Sequence, residues 1–364
     1  MSMKEIIDQK MPSLTEWLEK IGHKDAVAFR DEDNKKRDRL EVLYQTIGLR
    51  YDRPERMTAR DIVDETELFQ DIFSRKADNF CALRLVPFDS NLPKLRVRGK
   101  TLRENLVWFH AQSIDPDAYK VEVIPHPTES LAAGIFLLTD NGVVGEITNG
   151  WHWDLTQGFY DEAPVTFFYN FNTWQISESN EAFFETLQRA MQALRITDSV
   201  MQEKLSAEIG AEFTNRGYLK GYFEFAVVDP HYEVEFMDYN RVLYKLMAHE
   251  VGAVLPQAEN NHIKGTIASR GKAIGKARFV ENPAEEEFNE GEILICPMTT
   301  VDFVPLMQKA AGIITEQGTI LSHAAIVSRE LKKPCLVNTK NARSLFPNGT
   351  LVEIDANQGL VKIL

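Results

Sequence analysis

The chain has 364 residues, a formal net charge of −13, 44% apolar and 26% charged residues, which suits real cores in two or three domains of ordinary size. So acidic a surface argues against a general grip on a nucleic-acid backbone, though not against a local pocket for a nucleotide. No run of 18 apolar residues occurs, the start MSMKEIIDQK lacks an apolar segment behind its basic residues, and the three cysteines, Cys81, Cys296 and Cys335, follow no CxxC or metal spacing; the expectation is a cytoplasmic protein with reduced core cysteines and neither membrane nor nucleic-acid partner.

Residues 1–78 read as a helical extension, because MPSLTEWLEKI, DRLEVLYQTIGL and TARDIVDETELFQDIFSRK repeat apolar residues at helical spacing. From Phe80 the texture turns to short β-rich runs, CALRLVPF, KVEVIP, GIFLLT and GVVGEIT, separated by Pro, Asn, Asp and Gly. Between Asn180 and Phe213 the pattern predicts one long helix or two, and YFEFAVVD and YEVEFMDY predict a further pair of strands. The polar GAVLPQAENNHIKG reads as a linker, placed at 248–262, between an α+β region at 79–247 and a compact α/β domain at 263–364. Within that last domain PAEEEFNEGE reads as a solvated acidic loop, and Asn348-Gly349 as a tight turn rather than a glycosylation site.

The stretch TEQGTILSHAAIVSREL, residues 315–331, presents one histidine at the start of an evident helix. A helix start offers unpartnered N–H groups and a positive dipole end, which together suit an anion. Ser322 can cap that helix or offer its hydroxyl to the anion, Gly318 lets backbone amides approach closely, and Thr315 adds a hydroxyl at the strand end. A neutral imidazole in such a ring of donors can attack a phosphoryl group and then hold it. Taken alone, His323 would also serve as a capping or core histidine.

The stretch resembles the phosphohistidine swivelling domain of the phosphoenolpyruvate synthase and pyruvate phosphate dikinase family. Thr315, Gly318, Ser322, His323, Ala324, Ala325, Ile326, Val327, Arg329, Glu330 and Pro334 fall in step with its pattern, and the likeness runs over roughly residues 262–364. Thr319 stands where that family has a second glycine, and Asn338 where a glycine usually follows the PCLV strand; asparagine tolerates left-handed backbone angles. By this resemblance His323 is the phosphorylated residue, with Thr315, Gly318 and Ser322 supporting the phosphate.

No P-loop is present, since GKAIGKA at 271–277 is one residue short and ends on Ala277. The β-rich part resembles a reduced ATP-grasp nucleotide-binding region of the same family. The likeness assigns Arg84, Arg98, Pro125, His126 and Thr139 to the nucleotide and Glu224 and Asp238 to Mg²⁺, with ATP as donor. Two antiparallel strands would aim those two carboxylates at one place, a set that Mg²⁺ accepts together with phosphate oxygens. On the residues alone, a basic strand face and surface ion pairs remain the alternative. WHWDLTQG, residues 151–158, reads as packing aromatics or as a metal or base-stacking site through His152 and Asp154.

The fold expected is therefore a multidomain α+β chain: a helical extension, an ATP-grasp-like region, and a compact α/β swivelling domain, without the pyruvate-binding barrel of the full-length enzymes. The function expected is ATP-dependent phosphotransfer through His323 to a small molecule or a separate acceptor subunit. A phosphocarrier or regulatory module with a degenerate nucleotide site is the first alternative. An ATP-grasp carboxylate ligase is the second.

Overall fold

The structure, a computed structural model, describes residues 14–89, 91–127, 129–158, 160, 162–228, 233–248, 263–339 and 342–364. The expected linker at 248–262 lies outside them except for Ala248, as do His231 and His249. The chain packs as two compact units, one made of the segment up to Ala26 with Gly134–Ser179 and Tyr244–Leu364, the other of Val27–Ala133 and Asn180–Leu243. Helices and several sheets are mixed throughout, so the α+β expectation holds.

In the first unit the C-terminal segment builds an eight-stranded sheet. Its centre is a parallel run in the order Lys272–Phe279, Ile293–Cys296, Gly312–Thr315 and Cys335–Val337, flanked by antiparallel strands such as Leu351–Asp355. The central strands are apolar without a break because both faces are covered. Ile293 and Ile295 point into a core with Phe346 and Val352, while Leu294 and Cys296 point into another with Met307, Ala325 and Trp17. Trp17 belongs to the short helix Leu14–Lys20, which packs against the helix His323–Glu330.

The same unit contains the strands Gly142–Thr148, Val165–Tyr169 and Trp174–Ile176, paired antiparallel in that order, and the helix His152–Gln157. The hairpin of Val165–Ile176 was not evident in the sequence, where its aromatic residues lack a clean two-residue alternation. The acidic run from Pro283 is irregular and largely exposed, and Asn348 sits in a turn where its Oδ1 accepts the Phe279 N–H at 2.6 Å. All three cysteines are buried free thiols.

The second unit holds a four-stranded antiparallel sheet in the order Glu55–Thr58, Tyr119–Pro125, Phe80–Pro87, Leu95–Thr101. Its alternation is simple: Leu83, Leu85, Val121 and Val123 face the helices Glu67–Lys76 and Leu102–His110, while Arg84, paired with Arg96 and Glu122, lies on the opposite face. Thr101 and Glu104 close a reciprocal cap at the start of the second helix. Glu55–Thr58 is a strand inside the segment expected to be helical; its four residues pair with Val123 to Lys120, a partner too distant in sequence for local periodicity to reveal. The 180–213 stretch forms two helices, Glu181–Ala193 and Ser199–Ile209, divided where Asp198 caps the second. The helix Lys36–Ile47 packs on Ser199–Ile209 and on the strand Val234–Asn240.

Candidate active site

His323 is the first residue of its helix, at the carboxyl end of the central parallel strand Gly312–Thr315. Carboxyl ends of parallel strands are where open α/β sheets bind ligands. Ser322 is the N-cap: its hydroxyl accepts the Ala325 N–H at 3.4 Å and donates to the Thr319 carbonyl at 2.8 Å. That leaves Ser322 fully engaged in shaping the turn into the helix. Thr315 Oγ1, by contrast, is buried with no hydrogen-bond partner among the described residues. The half-buried His323 ring meets the Trp17 indole edge-on, with centroids 6.1 Å apart.

The loop between strand and helix is held from the 142–160 segment of the same unit. Gly318 has φ +134°, a conformation that favours glycine, and the Tyr160 hydroxyl spans its peptide groups, donating to the Gly318 carbonyl at 3.0 Å and accepting its N–H at 3.1 Å. A Cβ on Gly158 would lie 3.0 Å from the Gly318 Cα, so the two backbones approach closely. Thr319 donates to the Leu155 carbonyl at 3.0 Å, and the Ile320 N–H donates to the Glu146 carboxyl at 3.3 Å. Burial pushes Glu146 up to about 8, against the pull of the Ile320 N–H, the Thr319 hydroxyl, the Leu321 N–H and Arg329. Arg329 reaches back from the helix to the Ile320 carbonyl at 2.8 Å.

The Trp151 and Trp153 rings stack at 4.4 Å, and Asp154 accepts the Trp151 N–H at 2.9 Å, so the WHWD stretch is a capped helix start. At the far end of the His323 helix, Glu330 pairs with His23, whose Nδ1 accepts the Asp25 N–H at 3.1 Å. The proton of a neutral His23 therefore sits on Nε2, facing Glu330.

In the second unit, Glu224 and Asp238 lie directly opposite each other across the hairpin Leu219–Val227 and Val234–Asn240, with a bulge just after Glu224. Arg84, Asp33, Lys94 and Lys36 join them. Lys36 Nζ lies 3.4 Å from Asp238, Lys94 Nζ 2.7 Å from Asp33, and Arg84 3.8 Å from Asp33. Burial and the neighbouring Arg84 push the Lys94 ammonium down to about 7, and burial pushes Glu224 up to about 7, with Lys36 opposing and Asp238 reinforcing.

The other expected nucleotide residues are spread out. Arg98 and Gly99, with φ +74° at Gly99, lie on the strand Leu95–Thr101. Pro125 ends its strand opposite Cys81, and the His126 N–H donates to the Phe80 carbonyl at 3.2 Å. Thr139 belongs to the first unit, where its hydroxyl donates to the Gly142 carbonyl at 3.1 Å and shapes a tight turn.

Residues 288–359 match the family described as "PEP-utilising enzyme, mobile domain". This C-terminal segment is similar to that mobile domain. A probable phosphoenolpyruvate synthase of Methanothermobacter thermautotrophicus is 46% identical over 100 residues, 27% of this chain and 15% of its own. The phosphoenolpyruvate synthase of Pyrococcus furiosus is 44% identical over 100 residues, 27% of this chain and 12% of its own. The uncharacterized phosphotransferase YvkC of Bacillus subtilis is 38% identical over 117 residues, 31% of this chain and 14% of its own. The chain thus spans 12% to 15% of the length of these relatives.

The matched segment contains His323, Thr315, Gly318 and Ser322, which the structure gathers within one loop and helix start. Asn338 has φ +57°, the left-handed geometry its place in the pattern calls for. Sequence reasoning missed Trp17, Glu146 and Tyr160, the residues from outside the mobile domain that hold its histidine loop. Isolated residues in other segments carry no local signal; the close Gly158–Gly318 approach is legible only in three dimensions.

Proposed function

We propose that the protein is a phosphotransferase that carries phosphate on His323, with Mg²⁺-ATP as donor. The observation that carries this reading is the histidine at the first position of a capped helix, behind the loop of a mobile domain of PEP-utilising enzymes. A ring nitrogen of neutral His323 attacks a phosphoryl phosphorus; the N–P bond forms as the P–O bond to the leaving nucleotide breaks. The positive end of the helix and the Thr315 hydroxyl, which has no partner among the described residues, favour the phosphoryl oxygens.

For the donor, Glu224 and Asp238 would hold Mg²⁺, and Arg84 and Lys94 would face phosphate. The donor set fits: two carboxylates stand on opposed strands, and Asp238 Oδ1 is buried without a hydrogen bond among the described residues. Bound there, Mg²⁺ supplies charge neutralisation for the phosphates. The acceptor of the phosphate is a small molecule or a separate protein.

Incubation with Mg²⁺ and separately β- and γ-labelled ATP, followed by an alkaline quench, tests this. Acid-labile label that disappears in His323→Ala supports it and shows which phosphorus is transferred. Label that persists in the variant overturns it. A second reading, a carrier charged by another protein, is favoured by the internal ion pairs of Arg84 and Asp238; it expects label only when a phosphorylated donor is supplied.

A further inference from the structure

Lys36 is the least expected member of the charged cluster. It is the first residue of the helix Lys36–Ile47, where the dipole disfavours a cation. Its side chain is only 14% exposed, and the Asp238 side chain 10%. What holds an ammonium there is the carboxylate side of the cluster. Lys36 lies 3.4 Å from Asp238, which stands directly opposite Glu224. Asp33, Glu224 and Asp238 stand among Lys36, Arg84 and Lys94, and Arg37 and Arg39 of the same helix as Lys36 also act on Asp238.

We infer that Lys36 is a built-in counter-cation that holds the place of the divalent metal between Glu224 and Asp238 and yields it when nucleotide phosphate enters. The inference rests on the reading of Glu224 and Asp238 as the metal pair. Two carboxylates opposed across a hairpin repel each other, and a cation beside them offsets that repulsion. A lysine supplies that cation through a flexible stem, so it can leave the carboxylates without disturbing the hairpin. When metal arrives with a phosphate-bearing ligand, the carboxylates gain a stronger cation and the ammonium gains a new anion within reach. Metal alone brings no anion for the lysine, and is disfavoured.

The test uses the full chain and Mn²⁺ as the probe, titrated by electron paramagnetic resonance with and without ADP. Wild type is expected to bind Mn²⁺ weakly alone and more tightly with ADP. Lys36→Met removes the competing charge and is expected to bind Mn²⁺ alone about tenfold or more tightly than wild type. Lys36→Gln does the same should the methionine variant misfold, Lys36→Arg behaves as wild type, and Asp238→Asn added to Lys36→Met abolishes the gain. Equal or weaker Mn²⁺ binding by both neutral variants, with ADP-dependent Mn²⁺ binding intact in wild type, overturns the role of Lys36 alone. No Mn²⁺ binding by any form, with or without ADP, overturns the metal pair and the inference together.

Discussion

The hydroxyl of Tyr160 grips the backbone of Gly318 from both sides, donating to its carbonyl at 3.0 Å and accepting its N–H at 3.1 Å. Gly318 lies five residues before His323, so this side chain joins the Thr319–Leu155 and Ile320–Glu146 hydrogen bonds in holding the loop that presents the histidine. Tyr160→Phe removes both hydrogen bonds and keeps the ring. Each such bond contributes about 0.5–1.5 kcal/mol, so amide exchange at Gly318 should quicken by roughly one to two orders of magnitude. Exchange rates in the strand Ile293–Cys296 should stay unchanged; equal protection at Gly318 in both proteins would show that the hydroxyl does not hold the loop.

Glu146 makes the anchoring of that loop depend on pH. Its folded value is raised to about 8 from 4.5, chiefly by burial. The stabilisation from its bound proton is fully present below about 4.5, declines as pH rises and is lost above about 8, with a slope of ~1.4 kcal/mol per pH unit at its steepest. Glu146→Gln keeps a neutral polar group and should flatten that slope. Denaturant midpoints between pH 5 and pH 9 give the comparison; parallel profiles for the two proteins would remove Glu146 as the cause.

Thr319 supplies a hydroxyl where the resembling family has a glycine, and the structure gives it the Leu155 carbonyl at 3.0 Å. Leu155 also accepts the Gly158 N–H at 3.1 Å, so its carbonyl keeps one partner when the hydroxyl is lost. Thr319→Val should therefore cost only ~1 kcal/mol of stability. Thr319→Gly should cost more, since it also frees the backbone. Thermal unfolding of the pair orders them; a valine variant less stable than the glycine variant would contradict this account.

Trp17 is fully buried in the core that also holds Ala325 and Val327 of the His323 helix. Trp17→Ala should destabilise that unit by ~3–5 kcal/mol, the usual cost of a large cavity. Because the indole edge also meets the His323 ring, the imidazole Cε1 proton resonance should shift in the same variant. A change below about 1 kcal/mol with an unmoved resonance would mean that the helix Leu14–Lys20 is a minor part of this core.

The histidine site was legible because its parts are contiguous: Thr315, Gly318, Ser322 and His323 lie within nine residues, and their spacing encodes strand, loop, cap and helix. The pairing of Glu224 with Asp238 was legible as two strands around a turn. Lys36 was not, because a lysine in a charged helix looks the same whether it faces water or a buried carboxylate. The strands within CALRLVPF, KVEVIP, GIFLLT and GVVGEIT followed from β-rich runs bounded by turn residues, whereas the helix Leu102–His110 between them was not read. The strand Glu55–Thr58 did not, since its partner lies more than sixty residues away.

The sequence by itself determined the local devices: the Ser322 cap, the glycine that turns the loop, the continuous apolar strands of a doubly covered sheet, and a net charge of −13. Only the tertiary structure decided what surrounds them. Trp17, Glu146 and Tyr160 reach the histidine loop from segments far away in the chain, and Lys36 reaches Asp238 across two hundred positions. Periodicity and capping act over a few residues and leave a mark in the sequence, whereas burial and ion pairing act through space and leave none.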